Sequence, residues 1–281
     1  MMYKYDIIYL QRFIPCYRVS VFTRLLNENK YKSKVLYGND IENSKAKNCK
    51  NLKNKNFKKF KMKAFSIFGR TFYYQKGLFS YLKFCSPKVI VCEAESHFLG
   101  YITAIFYKIL INRDVKLLMW CFYRLPGNFS ERSFVHYLIK KITRFFFHGF
   151  ISYSKFGKNY LISEGKKSKD ISVAVNVCDT DKYISISNRL KINKINAKKK
   201  IHVGKKFLIS YVGSLEKVKR PKLMLDIALQ LDPNKFHINI IGKGSEYDFL
   251  KTSITKKNIK NVTLIGFAKH NLPILYRASD L

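Results

Sequence analysis

The residues of this chain best suited to chemistry are glycines and a lysine in its C-terminal third. Gly213 closes the apolar run Phe207–Val212, and Lys219 follows it just ahead of a helical pattern. A glycine at a strand end lets an anion approach the main chain, and an ammonium beside it adds a point charge, so the pair suits a phosphate. The next apolar run ends in Ile241-Gly242-Lys243-Gly244-Ser245 and enters a second helical pattern. The first N–H groups of such a helix also favour an anion. A third run ends in Ile265-Gly266-Phe267. Each glycine alone is a routine turn residue, but three on successive strand ends along one sheet edge make a candidate phosphate site.

Other reactive side chains are more dispersed. Glu93 and Glu95 sit just past a buried apolar run, where they face either a cleft or solvent, and His97 falls at the same edge. Asp179-Thr180-Asp181 formally spells a D-x-D metal motif. It does not follow a nucleotide-binding first half, so no metal is expected there. The six histidines do not cluster, and no Walker A, G-x-S-x-G or H-E-x-x-H pattern occurs.

Short β-like runs alternating with helical periodicity must position these groups. Apolar runs at 3–10, 34–38, 88–93, 115–120, 149–153 and 171–175 alternate with amphipathic stretches at 19–29, 97–111, 131–147 and 155–164. Lys45 to Lys63 is expected as a solvated loop, and Phe72–Phe84 as an aromatic helix. Alternation of this kind predicts an α/β fold with doubly wound parallel sheets, whose ligands sit at the carboxyl ends of the strands. Two such Rossmann-like units are expected, over 1–181 and 207–281, with a cleft between them. Residues 182–206, polar and rich in Lys and Asn, are expected as a linker.

The second unit resembles the nucleotide-sugar half of GT-B glycosyltransferases, specifically the retaining group known as family 4. That family's pattern runs strand–G-[R]-L-x-x-x-K, helix, strand–hydrophobic-G-x-G, helix, V-x-[FL]-x-G, then L-x-x-x-Y-x-x-A-D. This chain has GSLEKVK (213–219), IIGKG (240–244), VTLIGF (262–267) and LPILYRASD (272–280). The resemblance assigns Gly213 and Lys219 to the donor diphosphate, with Ser214 where an arginine is usual. It makes Gly242 and Gly244 a structural turn beside that site, and brings Gly266 and Phe267 towards the base. In the first unit, Phe13-Ile14-Pro15-Cys16-Tyr17-Arg18 resembles the I-P-H-Y-R segment of O-antigen and capsule glycosyltransferases. LLMWCFYR (117–124) resembles L-L-W-x-H-G, with Phe122 where a histidine is common. VAVNVCDT (173–180) is similar to the N-x-x-D-T stretch. The resemblance therefore places Tyr17, Arg18, Asn176 and Asp179 on an acceptor-side cleft, to which the strand-end position of Glu95 adds that residue.

It further implies a sugar transferred from a UDP- or GDP-linked donor to a cell-surface polysaccharide or lipid-linked glycan, with neither cofactor nor metal. The family's pair of glutamates lies beyond Leu281, so against the family the chain is expected to be C-terminally truncated and its own activity is open. The catalytic residue is unassigned. A strand after Leu281 would flank 207–212 in the family's sheet, so that run is expected to present an unpaired apolar edge.

Composition sets the bounds. Lys+Arg is 54 and Asp+Glu is 18, a net charge of +36, yet 47% of residues are hydrophobic and 15% aromatic. That apolar content excludes a disordered polycation. The lysine excess accompanies many Asn, Ile, Tyr and Phe, as AT-rich coding produces, and it equally suits an anionic membrane surface. A non-enzymatic basic protein binding RNA or a membrane is the alternative, although no RNA-recognition pattern occurs and nucleic acid is not an expected partner. The six cysteines are scattered without C-x-x-C pairs. They are expected as small buried hydrophobes in a cytoplasmic protein peripheral to the inner membrane face.

Overall fold

The computed structural model describes residues 3–281 except 29, 42–46, 51, 53, 68, 96, 124–140, 178 and 269–270. It divides into two compact units, Met1–Asp179 and Thr180–Leu281.

The first unit is built on strands β1 (Tyr5–Gln11), β2 (Ser33–Gly38), β3 (Phe57–Phe60), β6 (Pro87–Glu93), β7 (Lys116–Cys121), β8 (Gly149–Ser152) and β9 (Ile171–Val173). They form one parallel sheet in the order β3-β2-β1-β6-β7-β8-β9. The inner runs, β1, β6, β7 and β8, are largely apolar because both faces are covered. Ile8 and Leu10 enter one core with α2 (Leu78–Cys85) and α3 (Gly100–Leu110). Tyr9, Val35 and Val91 face the other way, onto Phe22 and Leu26 of α1 (Val19–Asn27). Helix α4 (Lys155–Ser163) starts at Ser154, whose hydroxyl accepts from the Gly157 N–H at 3.0 Å, satisfying one of the unpaired first-turn donors. The order reverses between β1 and β6, and a doubly wound sheet opens a crevice at such a point.

Three expectations change here. Lys45 to Lys63 is not loop throughout, since β3 joins the sheet edge and Met62–Ile67 forms β4. The aromatic run is not one helix: Arg70–Gln75 is β5, antiparallel to β4, and Gly77 at φ 82 separates it from α2. The backbone there is left-handed, a region glycine enters without a Cβ penalty. Cysteines are not all unpaired either, because Cys16 and Cys49 form a disulfide. Asn48 Oδ1 accepts from Ile14 N at 2.8 Å and Cys49 N donates to Ile14 O at 2.8 Å, which brings the two thiols together. Cys85 and Cys92 are buried and free. Of the helix expected over 131–147, residues 141–145 are helical and the part before 141 lies outside the described residues.

The second unit has β10 (Phe207–Val212), β11 (Phe236–Ile241) and β12 (Val262–Ile265) in one parallel sheet of order β10-β11-β12. Helices α7 (Leu223–Gln230) and α8 (Tyr247–Lys256) contribute Leu225, Ala228 and Leu250 to its core with Ile238 and Ile240. Residues 182–206 are not an extended linker. They carry most of α5 (Thr180–Arg189) and all of α6 (Lys194–Lys200). Ala197 and Val203 pack with Leu208 of β10 and with Ile274 and Ala278 of α9 (Leu272–Ala278). The outer edge of β10 is not bare. After α9 the chain extends at Ser279, and Asp280 N donates to Leu208 O at 2.8 Å, while Ser210 N donates to Leu281 O at 2.8 Å. Asp280 fixes this turn, since its carboxylate accepts from Leu208 N at 2.8 Å and pairs with Lys194 at 2.6 Å and with Lys198.

Candidate functional site

In the second unit the carboxyl ends of β10, β11 and β12 bring Gly213, Gly242 and Gly266 together. Gly213 N donates to Ile241 O and Gly242 N to Ile265 O, each at 3.0 Å, while Leu215 N donates to Lys243 O at 3.0 Å. Two of the glycines are sterically required. A Cβ on Gly242 would stand 1.8 Å from Gly213 O, and one on Gly244 would stand 2.4 Å from Leu215 O. Both contacts are to main chain, so no side-chain rotation relieves them. The loops after β10 and β11 thus lie against each other only because these residues lack side chains. Ser214 and Lys219 are exposed, Lys219 in a 3-10 turn (Lys217–Lys219) whose last carbonyl accepts from the Tyr211 hydroxyl at 3.2 Å. Phe267 is 74% exposed, available as a flat apolar surface. A further cation was missed: the Lys243 stem passes 3.5 Å from where a Cβ of Gly266 would be, between two glycines the sequence already marked. A hollow of about 620 Å³ lies at the opposite ends of β10 and β11, against Phe207 and Phe236, away from these groups.

In the first unit a cavity of about 920 Å³ opens at the carboxyl ends of β1, β6 and β7. Tyr17, Arg18, Glu95 and Asn176 all line it; Asp179 does not. Arg18 is 5% exposed. One of its nitrogens donates to Gln11 Oε1 at 3.0 Å, and its guanidinium lies 4.8 Å from the centre of the Trp120 ring. The other terminal nitrogen, Nη2, is buried without a partner among the described residues. A buried donor left unsatisfied is costly and marks a place for an acceptor oxygen. Glu95 pairs with Arg12 at 2.6 Å. Phe122, standing where the resembled family has histidine, packs on Tyr153 at 4.6 Å between ring centres. His97 also lines the cavity and is held by Thr71 O at 3.1 Å.

Glu93 is the residue sequence reasoning undervalued. Its position past a buried strand was legible, but its burial under the β1 loop was not. It is 8% exposed, accepts from Arg12 N at 2.7 Å and lies 3.6 Å from Arg18 Nη1. Burial, together with the neighbouring Glu95 carboxylate, pushes its carboxyl up to about 7 against the opposing Arg12 N–H and the Arg18 and Arg12 charges. A group that changes protonation near neutrality can move a proton to or from a hydroxyl held in the cavity. The Tyr153 hydroxyl is pushed up by burial, with Arg18 opposing. No group of three His, Cys, Asp or Glu among the described residues could hold a metal ion, and no helix among them is long and apolar enough to cross a membrane.

Comparison with known proteins agrees with this geometry. Residues 192–281 match the family model of glycosyl transferases group 1. No curated protein matches the sequence. Among solved structures, HepE of Anabaena in complex with UDP is similar over 98% of this chain and 72% of its own, at 15% identity and a TM-score of 0.66. The lipopolysaccharide outer core galactosyltransferase WaaB is similar over 97% of this chain and 71% of its own, at 16% identity and a TM-score of 0.61. The UDP-GlcNAc 2-epimerase of Neisseria meningitidis shares the architecture over 97% of this chain and 74% of its own, at 14% identity and a TM-score of 0.56. Identities this low establish the fold alone. The chain has the GT-B fold, and residues 192–281 of its second unit match the glycosyl transferases group 1 model.

Proposed function

We propose that the protein transfers a sugar from a UDP- or GDP-linked donor to a cell-surface polysaccharide or lipid-linked glycan, working at the inner face of the cell membrane. The observation that carries this reading is the convergence of Gly213, Gly242 and Gly266 at three adjacent strand ends, with Lys219 and Lys243 beside them. Negative charge develops on the departing diphosphate as the glycosidic bond breaks. Lysine ammoniums held beside it stabilise that charge more than they stabilise the bound donor. UDP in the similar HepE structure supports a nucleoside diphosphate as the leaving group. Acceptor binding falls to the first unit, where the unsatisfied Arg18 nitrogen and the Glu93 carboxyl face an aromatic wall of Trp120, Phe122 and Tyr153.

Calorimetric titration with UDP and GDP tests the donor half. Lys219→Ala removes one charge-assisted contact, about 1.5–3 kcal/mol, and should weaken the diphosphate roughly tenfold or more. Equal affinity before and after the substitution would remove Lys219 from the site.

A further inference from the structure

The β4–β5 hairpin is a two-stranded sheet of its own, outside the seven-stranded one. Its pairing Lys63↔Tyr74, Phe65↔Phe72 and Ile67↔Arg70 puts these six side chains on one face. Phe65 and Phe72 stack at 5.8 Å, and Tyr74 lies 6.2 Å from Phe65. Phe65, Ile67 and Tyr74 are nonetheless 39%, 47% and 38% exposed. The outer edge of β5 is tied down: Tyr73 N donates to His97 O and Leu99 N to Tyr73 O, each at 2.8 Å, and Gln75 is buried. The hairpin is therefore fixed along this edge, with Phe65, Ile67 and Tyr74 left open. Isolated exposed apolar residues need no explanation, whereas an ordered aromatic and aliphatic patch does.

The surrounding charge says what covers it. No acidic residue occurs between Glu42 and Glu93, while Lys59, Lys61, Lys63, Arg70 and Lys76 are all exposed. None of these five has a carboxylate partner among the described residues. Apolar side chains ringed by unpaired cations match an anionic bilayer, where rings and aliphatic groups enter the acyl boundary and ammoniums meet headgroups. Arg70 and Phe72 also line the first unit's cavity, so the same face continues into the acceptor site.

We infer that the exposed face of the β4–β5 hairpin docks on an anionic lipid surface, with Phe65 and Ile67 entering the bilayer and Lys63 and Arg70 at the headgroups. This names the contact behind the membrane-side reading above, and its test uses no sugar donor, so docking and transfer can fail separately. The full chain is sedimented with vesicles of phosphatidylcholine alone or with about a third phosphatidylglycerol. Binding is expected only to the anionic vesicles, falling steeply with salt. Phe65→Ser with Ile67→Ser should lower partitioning about tenfold or more. Ile67→Trp changes an exposed position, and its emission should shift to the blue on anionic vesicles, a shift the buried Trp120 of the unaltered chain does not show. Unchanged partitioning of the double variant, equal binding to both vesicles, or an unshifted Ile67→Trp spectrum would overturn the inference. So would a double variant that loses a soluble polysaccharide while still binding vesicles, because the face would then be a sugar platform.

Discussion

Glu93→Gln isolates the titration of the buried carboxyl. Glutamine preserves shape and can still accept from Arg12 N, but it carries no ionisable proton. In the wild type the Glu93 carboxyl, pushed up to about 7 in the folded chain, is at its ordinary value of 4.5 once unfolded. A folded-state value above the unfolded one gives stability that is complete below 4.5 and lost as pH rises through 7. The full amplitude is about 3 kcal/mol, and about 2–3 kcal/mol of it falls between pH 5 and pH 8. The variant should therefore gain on the wild type by that amount over this interval. Urea unfolding followed by Trp120 fluorescence is the assay, since this sole tryptophan lies beside Arg18 in the first unit. The groups facing Glu93 are Arg12, Arg18, Glu95 and Tyr153. A wild-type-to-variant difference constant within about 0.5 kcal/mol from pH 5 to 8 would refute the reasoning and show the two arginines holding Glu93 ionised throughout.

Other perturbations probe separate parts of the fold. Gly244→Ala places a methyl 2.4 Å from Leu215 O; it should cost about 1–3 kcal/mol and weaken nucleoside diphosphate binding, and unchanged melting and affinity would contradict the close-approach argument. In Asp280, burial raises the carboxyl, but the Leu208 N–H and the Lys194 and Lys198 ammoniums outweigh it and hold it well below the usual range. Asp280→Asn should thus cost about 2 kcal/mol at neutral pH, an effect that vanishes as pH falls below 3.8 through the folded value, read by exchange of the Ser210 amide. Reduction of Cys16–Cys49 opens a closure of sequence separation 33 and should lower the first unit's stability by up to about 4 kcal/mol; an unmoved Trp120 transition under dithiothreitol would argue against the crosslink.

The parallel strands were legible because burial on both faces leaves a run such as KVIVCE without polar alternation. The strand-end positions of Gly213, Gly242 and Gly266 were legible because each follows an apolar run directly. What the residue pattern concealed has physical causes. Lys61, Met62, Lys63 and Ala64 alternate as a strand should, but the density of lysines made a solvated loop the simpler reading, and only pairing with β5 selects the hairpin. The disulfide joins residues 33 apart with no motif, so only the Ile14–Asn48 contact shows it. Residues 182–206 lack a wide apolar stripe because α6 buries little beyond Ala197. Glu93 announced its type and position, but its environment depends on Arg12 and Arg18, which reach it from another strand's exit.

The hydrogen bonds of Asp280 and Leu281 to β10 also bear on how the protein is handled. They run parallel to that strand, so the backbone leaves residue 281 pointing along β10 towards Tyr211 and Gly213. Anything joined there, an affinity tag or a fluorescent partner, is steered to the end of the sheet where the donor glycines gather. Bulk attached at residue 281 would crowd that end of the β10–β12 sheet.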